Sequence, residues 1–169
     1  MNRLIRGRVL RVGDSVNTDI IAPGRWKLEG MEVLKKHTME ALYPDFYKLA
    51  KEGDILVAGR DFGCGSHREQ AVSVFQSLGI QALVAESIAR LYLRNSICFG
   101  FPAFTAEGIA ELCETGDVLA IEITDDAIIF TNETKKTKLM TPMLPQEMWN
   151  ICSAGGILSY LKEQLSKEE

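Results

Sequence analysis

Residues 53–87 read GDILVAGRDFGCGSHREQAVSVFQSLGIQALVAES, and their order decides the fold. GDILVAG (53–59) is a short apolar run between glycines, the pattern of a strand covered on both faces. A glycine-bearing segment, RDFGCGSHRE (60–69), follows it directly. REQAVSVFQSLG (68–79) then predicts a helix. Ala71, Val72, Phe75 and Leu78 form its apolar stripe, and Gly79 is a natural stop. IQALVAES (80–87) is a second apolar run of strand length. Strand, loop, helix, strand calls for parallel strands joined by right-handed crossovers.

Working outward, the alternation continues. IARLYLRNSICFG (88–100) predicts a second helix ending at Gly100. FPAFT (101–105) reads as a short strand, and AEGIAELCETG (106–116) as a third helix. The period then changes: DVLAIEITDDAIIFTNETKKTKLM (117–140) alternates two by two around TDDA, an antiparallel hairpin. From Pro145 two short helices follow, with a charged tail. Upstream, residues 3–12 read as a strand and 13–25 are dense in turn formers. Residues 31–42 predict a helix, and Pro44 in YPDF interrupts it. No internal repeat or linker is visible. The expectation is an α/β fold with a mixed sheet, one domain over residues 1–169.

A chain of 169 residues can bury roughly 70% of its unfolded surface. The net charge of −4 argues against a dedicated nucleic-acid binder. No apolar run approaches the roughly 20 residues of a membrane span. MNRLIRGRVLRVGD (1–14) lacks the apolar block of a signal peptide, so a cytoplasmic chain is expected. Arg3, Arg6, Arg8 and Arg11 are read as the solvated side of the first strand, with an acidic partner as the alternative. The four cysteines form no C-x-x-C pair and are expected to be free thiols. Cys98, Cys113 and Cys152 sit in apolar surroundings that suggest core, whereas Cys64 lies in the glycine segment.

That segment has two readings. Ser66 and Glu69 have the S-x-x-E spacing of a capping box, and a turn opening a helix needs nothing more. Three features point to a ligand. The glycines at 63 and 65 allow close approach of backbone. A helix start offers free N–H groups to an anion. Arg68 stands where the helix dipole disfavours a cation, as an arginine gripping a carboxylate would. Known loops fit poorly: a dinucleotide fingerprint needs glycine at 68, a phosphate loop needs Gly-Lys-Ser/Thr, and a nucleophile elbow needs Gly-x-Ser-x-Gly. The residues describe a carboxylate site containing a serine.

FGCGSHRE (62–69), with NTDIIAPGR (17–25) upstream and ESIARLYLRNSICFGFP (86–102) downstream, resembles the small subunits of aconitase-type hydro-lyases. Those of 3-isopropylmalate dehydratase and homoaconitase are the nearest in kind. Even PQEMWNICSAGGILSYLKEQL (145–165) has the expected look. The resemblance implies a swivelling β/β/α domain acting as a lid over the active site. It implies dehydration of a hydroxy di- or tricarboxylate and rehydration at the neighbouring carbon. A [4Fe–4S] cluster would bind the substrate from a separate large subunit and not from this chain; no nucleic acid or membrane would be a partner.

By the same resemblance, Ser66 matches a general base and Arg68 a carboxylate-binding arginine. Asp19 matches an acidic residue of the site's wall. Arg25 is a plausible second carboxylate contact. His67 replaces a second serine found in many relatives, which leaves its role open. GRWKLEGM (24–31) falls where the family shapes the pocket for the substrate's variable group. Trp26 and Leu28 would suit a branched alkyl tail, and Lys27 an extra carboxylate; an exposed loop with one aromatic anchor is the plain alternative. Arg94 and Asn95 would lie near the serine loop. His37 reads as a helix-surface residue. Cys64 reads as loop packing, with a reactive thiol as the other possibility.

The leading expectation is an isopropylmalate isomerase subunit of leucine biosynthesis. Homoaconitase, a citramalate-type isomerase and a 2,3-dimethylmalate dehydratase are the alternatives within the class. A serine hydrolase using Ser66 with His37 or His67, and a non-catalytic anion-binding module, are the readings outside it.

Overall fold

The apolar runs at 55–58 and 82–85 do become fully buried strands, and each divides its side chains between two cores. Leu56, Ala58, Leu83 and Ala85 face one core; Ile55, Val57, Ala82 and Val84 face the other. Alternate residues of a strand point to opposite faces, so a run apolar at every position needs a layer on each side. The structure, a computed structural model, describes residues 3–167.

In chain order the strands are β1 (Leu4–Arg11), β2 (Ile55–Ala58), β3 (Ala82–Ala85), β4 (Ala103–Thr105), β5 (Val118–Ile123), β6 (Ala127–Asn132) and β7 (Thr137–Pro142). The helices are α1 (Thr18–Ile21), α2 (Met31–Leu34), α3 (Phe46–Leu49), α4 (Gln70–Ser77), α5 (Arg90–Cys98), α6 (Ile109–Leu112), α7 (Gln146–Ser153) and α8 (Ile157–Leu165). The sheet order is β4-β3-β2-β1-β5-β6-β7. β1 is the pivot: it runs parallel to β2, with Val9 opposite Ile55, and antiparallel to β5, with Ile5 opposite Ile121. This is the expected mixed α/β sheet.

One core sets Val72 and Phe75 of α4 and Tyr92 of α5 against the parallel strands. The other sets Phe104, Ile121, Phe130 and Trp149 together, with Phe104 and Phe130 edge to face at 6.2 Å between ring centroids. Each large apolar side chain so buried contributes about 1.5–3 kcal/mol.

Four expectations change. The helix expected over 31–42 breaks: α2 ends at Leu34, a 3₁₀ turn covers Lys35–His37, and Met39 takes φ +62°. Thr38 and Met39 are both buried, and the Thr38 hydroxyl donates to the Leu34 carbonyl. Leaving the helix is what turns Met39 into the core. The third helix shrinks to the four residues of α6. The hairpin gains a third strand, because Asn132 Oδ1 accepts the N–H groups of Thr134 and Lys135 and turns the chain again. Cys98 is exposed rather than core. Cys113 and Cys152 are buried, and burial pushes their thiols up to about 11 and about 12.

Three of the four arginines at the start of the chain pair within it. Arg6 binds Glu133 at 2.7 Å, Arg8 binds the buried Asp54 at 2.6 Å, and Arg3 binds Asp125 at 3.0 Å. The loops leaving the carboxyl ends of β1, β2 and β3 meet, at the edge where open α/β sheets place ligands.

Candidate active site

The loop after β2 is stitched to its neighbours through backbone. Phe62 is buried; its N–H donates to the Ser87 carbonyl at 3.0 Å, and its carbonyl accepts from Ala89 at 2.9 Å. The Gly63 N–H donates to Val16 at 2.7 Å, and the Thr18 N–H to Cys64 at 2.9 Å. Gly63 sits at φ +74° against Tyr92, where a Cβ would lie 2.3 Å from the ring. The glycines therefore do two jobs: Gly63 packs on α5, and Gly65, at φ +101°, leaves room beside Thr18.

Ser66 is exposed at the end of this loop. Its Oγ lies 3.2 Å from the Thr18 hydroxyl, and its N–H donates to that same oxygen at 3.1 Å. The expected capping box does not form. α4 begins at Gln70, Glu69 makes no side-chain cap bond, and the Ser66 carbonyl accepts from the Arg68 N–H at 3.0 Å. Thr18 has taken the place of Glu69 as the partner of the serine's backbone.

Asn17 caps α1, its Oδ1 accepting the Ile20 N–H at 2.9 Å. That cap sets Thr18 inward and Asp19 outward. Asp19 ion-pairs with Arg68, and Arg68 Nη1 also donates to the Ala22 carbonyl at 3.2 Å. Ser66, Arg68, Asp19 and Thr18 thus form one constellation.

Arg25 and Trp26 belong to a second cluster, centred on Glu40. Arg25 ion-pairs with Glu40, Trp26 Nε1 donates to it at 3.2 Å, and His37 Nδ1 lies 2.6 Å from its other oxygen. The Trp26 and His37 rings stack with centroids 4.0 Å apart. The His37 hydrogen bond, helped by Arg25 and Trp26 against the effect of burial, holds the Glu40 carboxyl down at about 2. Lys27 and Leu28 project beyond this cluster, with Leu28 88% exposed. A cleft of about 940 Å³ is walled by Arg25, His37 and Glu40 of this cluster, by Ile20, and by Asp19 of the first; Ser66 and Arg68 lie outside its wall.

Among the described residues His67 makes no hydrogen bond or ion pair, and none joins Ser66 to a histidine. Ser66 therefore lacks the base that a serine hydrolase requires. Cys64 is pushed up, mainly by burial and then by Asp61, the opposite of an activated thiol. Arg94 is exposed and Asn95 buried on α5; the α5 residue that meets the loop is Tyr92. No group of three His, Cys, Asp or Glu among the described residues is arranged to hold a metal ion.

Reading the sequence alone missed Thr18 and Glu40. Thr18 lay inside the quoted NTD, where a hydroxyl beside a capping asparagine was the available signal. Glu40 gave none beyond standing three residues after His37.

The aconitase C-terminal domain model matches residues 13–103, from the end of β1 to β4. The 3-isopropylmalate dehydratase small subunit of Sulfurisphaera tokodaii is 41% identical, over 95% of this chain and 94% of that one. The isopropylmalate/citramalate isomerase small subunit of Methanocaldococcus jannaschii is 38% identical over the full length of both. A crystal structure of 3-isopropylmalate dehydratase from M. jannaschii superposes with a TM-score of 0.87 at 34% identity, covering 98% of this chain and 99% of that one. Fold and sequence agree over nearly the whole chain: this chain belongs to the aconitase C-terminal domain family, alongside the small subunits of 3-isopropylmalate dehydratase.

Proposed function

We propose that this chain is the small subunit of a hydro-lyase that interconverts 3-isopropylmalate and 2-isopropylmalate, a cytoplasmic step of leucine biosynthesis. Residues 1–169 would serve as one lid domain, active with a separate large subunit. The observation that carries this reading is the exposed Ser66 hydroxyl on a stitched loop, in one constellation with the Arg68–Asp19 pair. The names of full-length relatives support the substrate.

In this reading Ser66 first loses its hydroxyl proton to solvent and, as the alkoxide, takes the proton from the carbon next to the hydroxyl-bearing carbon. Hydroxide departs and a double bond forms between the two carbons. Returning the proton and hydroxide to the exchanged carbons completes the isomerisation. Arg68 holds a substrate carboxylate, exchanging its contact with Asp19 for a two-pronged one. The [4Fe–4S] cluster is assigned to the large subunit, where it supplies Lewis acidity.

A serine is a weak base unless its oxygen can carry charge. A helix start contributes ~0.3–1 kcal/mol, and one pKa unit is worth ~1.4 kcal/mol. The start of α4 alone is therefore insufficient. The Thr18 hydroxyl, 3.2 Å from Ser66 Oγ, is placed to donate to the alkoxide that acts as the base. Both it and Arg68 gain strength once a partner closes the site and excludes water. The isolated chain is accordingly expected to be inert.

One relative's name adds citramalate, a malate with a methyl substituent, as a second candidate. Homoaconitate would bring an extra carboxylate toward Lys27, and 2,3-dimethylmalate a smaller apolar load. The test is co-expression with a large subunit, anaerobic cluster assembly, and assay of isopropylmalate, citramalate, homoaconitate and dimethylmalate. Turnover of isopropylmalate above the others supports the proposal. Turnover of homoaconitate alone, or activity of the isolated chain without iron, contradicts it.

A further inference from the structure

We infer that Glu40 is a positioning residue for the loop 24–29, and that through this loop it sets which substituent the substrate may carry. This rests on the hydro-lyase reading above.

Apart from the packing of Trp26 against the core beneath α4 and α5, the loop has little else to hold it. Within it, the Trp26 N–H donates to Pro23 and the Glu29 N–H to Trp26, both local bonds. Lys27, Leu28 and Glu29 are all exposed, and a Cβ on Gly30 would meet nothing within 4 Å. Two side chains reach out from the loop, Arg25 and Trp26, and both end on the Glu40 carboxylate. His37 binds the other oxygen and lies flat on the indole, so carboxylate, imidazole and indole lock one another. An ionised carboxylate only accepts hydrogen bonds, which suits a group surrounded by donors.

The loop borders the site. A Cβ on Gly24 would lie 3.9 Å from Arg68 Nη2, and Arg25 shares the cleft wall with Asp19. A substrate whose carboxylate is held by Arg68 would therefore present its neighbouring substituent toward this loop. Trp26 is committed to His37 and Glu40, which leaves the exposed Leu28 and Lys27 as the side chains free to meet that substituent. Their position follows from the anchor, and the anchor is Glu40.

The experiment uses the assembled complex, with 5-fluorotryptophan in the small subunit and an unlabelled large subunit. The chain has two tryptophans, Trp26 and Trp149, so two fluorine resonances are expected, assigned with Trp149→Phe. Glu40→Gln keeps the shape and removes the charge; Glu40→Ala removes both. The expected result is a Trp26 resonance that shifts and broadens, more in Glu40→Ala, while Trp149 stays in place. The ratio of kcat/KM for isopropylmalate over citramalate changes by roughly tenfold, the size of a lost apolar contact, with KM rising more than kcat falls. A Trp26 resonance unmoved in both variants overturns the inference, as does a moved resonance with the ratio unchanged. A wild-type complex that turns over neither malate would sink the hydro-lyase reading instead, and the fluorine spectra would still decide whether Glu40 holds the loop.

Discussion

Two loops meet beside the candidate site, where Gly24 approaches Arg68, and are held by different means. The serine loop, residues 59–69, is tied by backbone bonds to Val16, Thr18, Ser87 and Ala89, on carboxyl ends of strands buried on both faces. The loop 24–29 is tied by two side chains to one carboxylate. Backbone ties are indifferent to side-chain identity; a side-chain clasp can be retuned by one substitution. A reaction step needs the first kind of support and a choice between substrates can tolerate the second. On the proposed function, the lesson is that rigidity is placed where a proton would move and adaptability where the substrate would vary.

The comparison can be broken hardest at Gly63. Alanine there would place a Cβ 2.3 Å from the Tyr92 ring at φ +74°. Overpacking and a left-handed backbone together should cost about 3 kcal/mol, read as a lower urea midpoint. An unchanged midpoint would mean the serine loop yields easily. Thr18→Val comes next. It removes the hydroxyl that faces Ser66, worth about 1 kcal/mol of stability. Turnover should fall by about 10–100-fold, more than that loss explains, whereas Thr18→Ser should recover most of it. Equal losses of stability and rate would reduce Thr18 to packing.

The clasp on the other loop should show its sign with pH. Glu40 is held at about 2 against an ordinary 4.5. A depressed carboxyl stabilises the fold above its unfolded value and loses that contribution as pH falls toward its folded value. The stability gap between wild type and Glu40→Gln should be constant above about pH 4.5 and close as pH approaches 2. A gap independent of pH across that window would show that the charge contributes nothing. The smallest effect is expected at the loop tip. Leu28→Ala should alter stability by less than about 0.5 kcal/mol, while altering substrate preference, because Leu28 touches so little of its own chain.

The same contrast explains what could be read from the residues. β2 and β3 were legible because strands covered on both faces are apolar at every position. β7 was not: Thr137, Lys138 and Met140 are exposed, and an edge strand needs no apolar pattern of its own. The helix expected over 31–42 failed at Thr38 and Met39, where tertiary burial overrode local propensity. Arg68 stood out because a cation is unusual at a helix start; Ser66 and Asp19 were singled out by resemblance, and the fold brings all three into one constellation. Glu69 looked like the partner of Ser66 because capping boxes are local, but the partner was Thr18, 48 positions away. Glu40 was invisible because its meaning depends on Arg25 and Trp26, brought to it only by the turn at Thr38.

The central claim is that Ser66 moves the proton. It is tested most directly by Ser66→Ala in the reconstituted complex, with large-subunit binding and urea midpoint measured alongside turnover. The account predicts a loss of at least about 10²–10⁴-fold in kcat, the usual weight of an acid–base group, with assembly and stability unchanged. Turnover retained within a few-fold of wild type, in a complex that assembles normally, would contradict it.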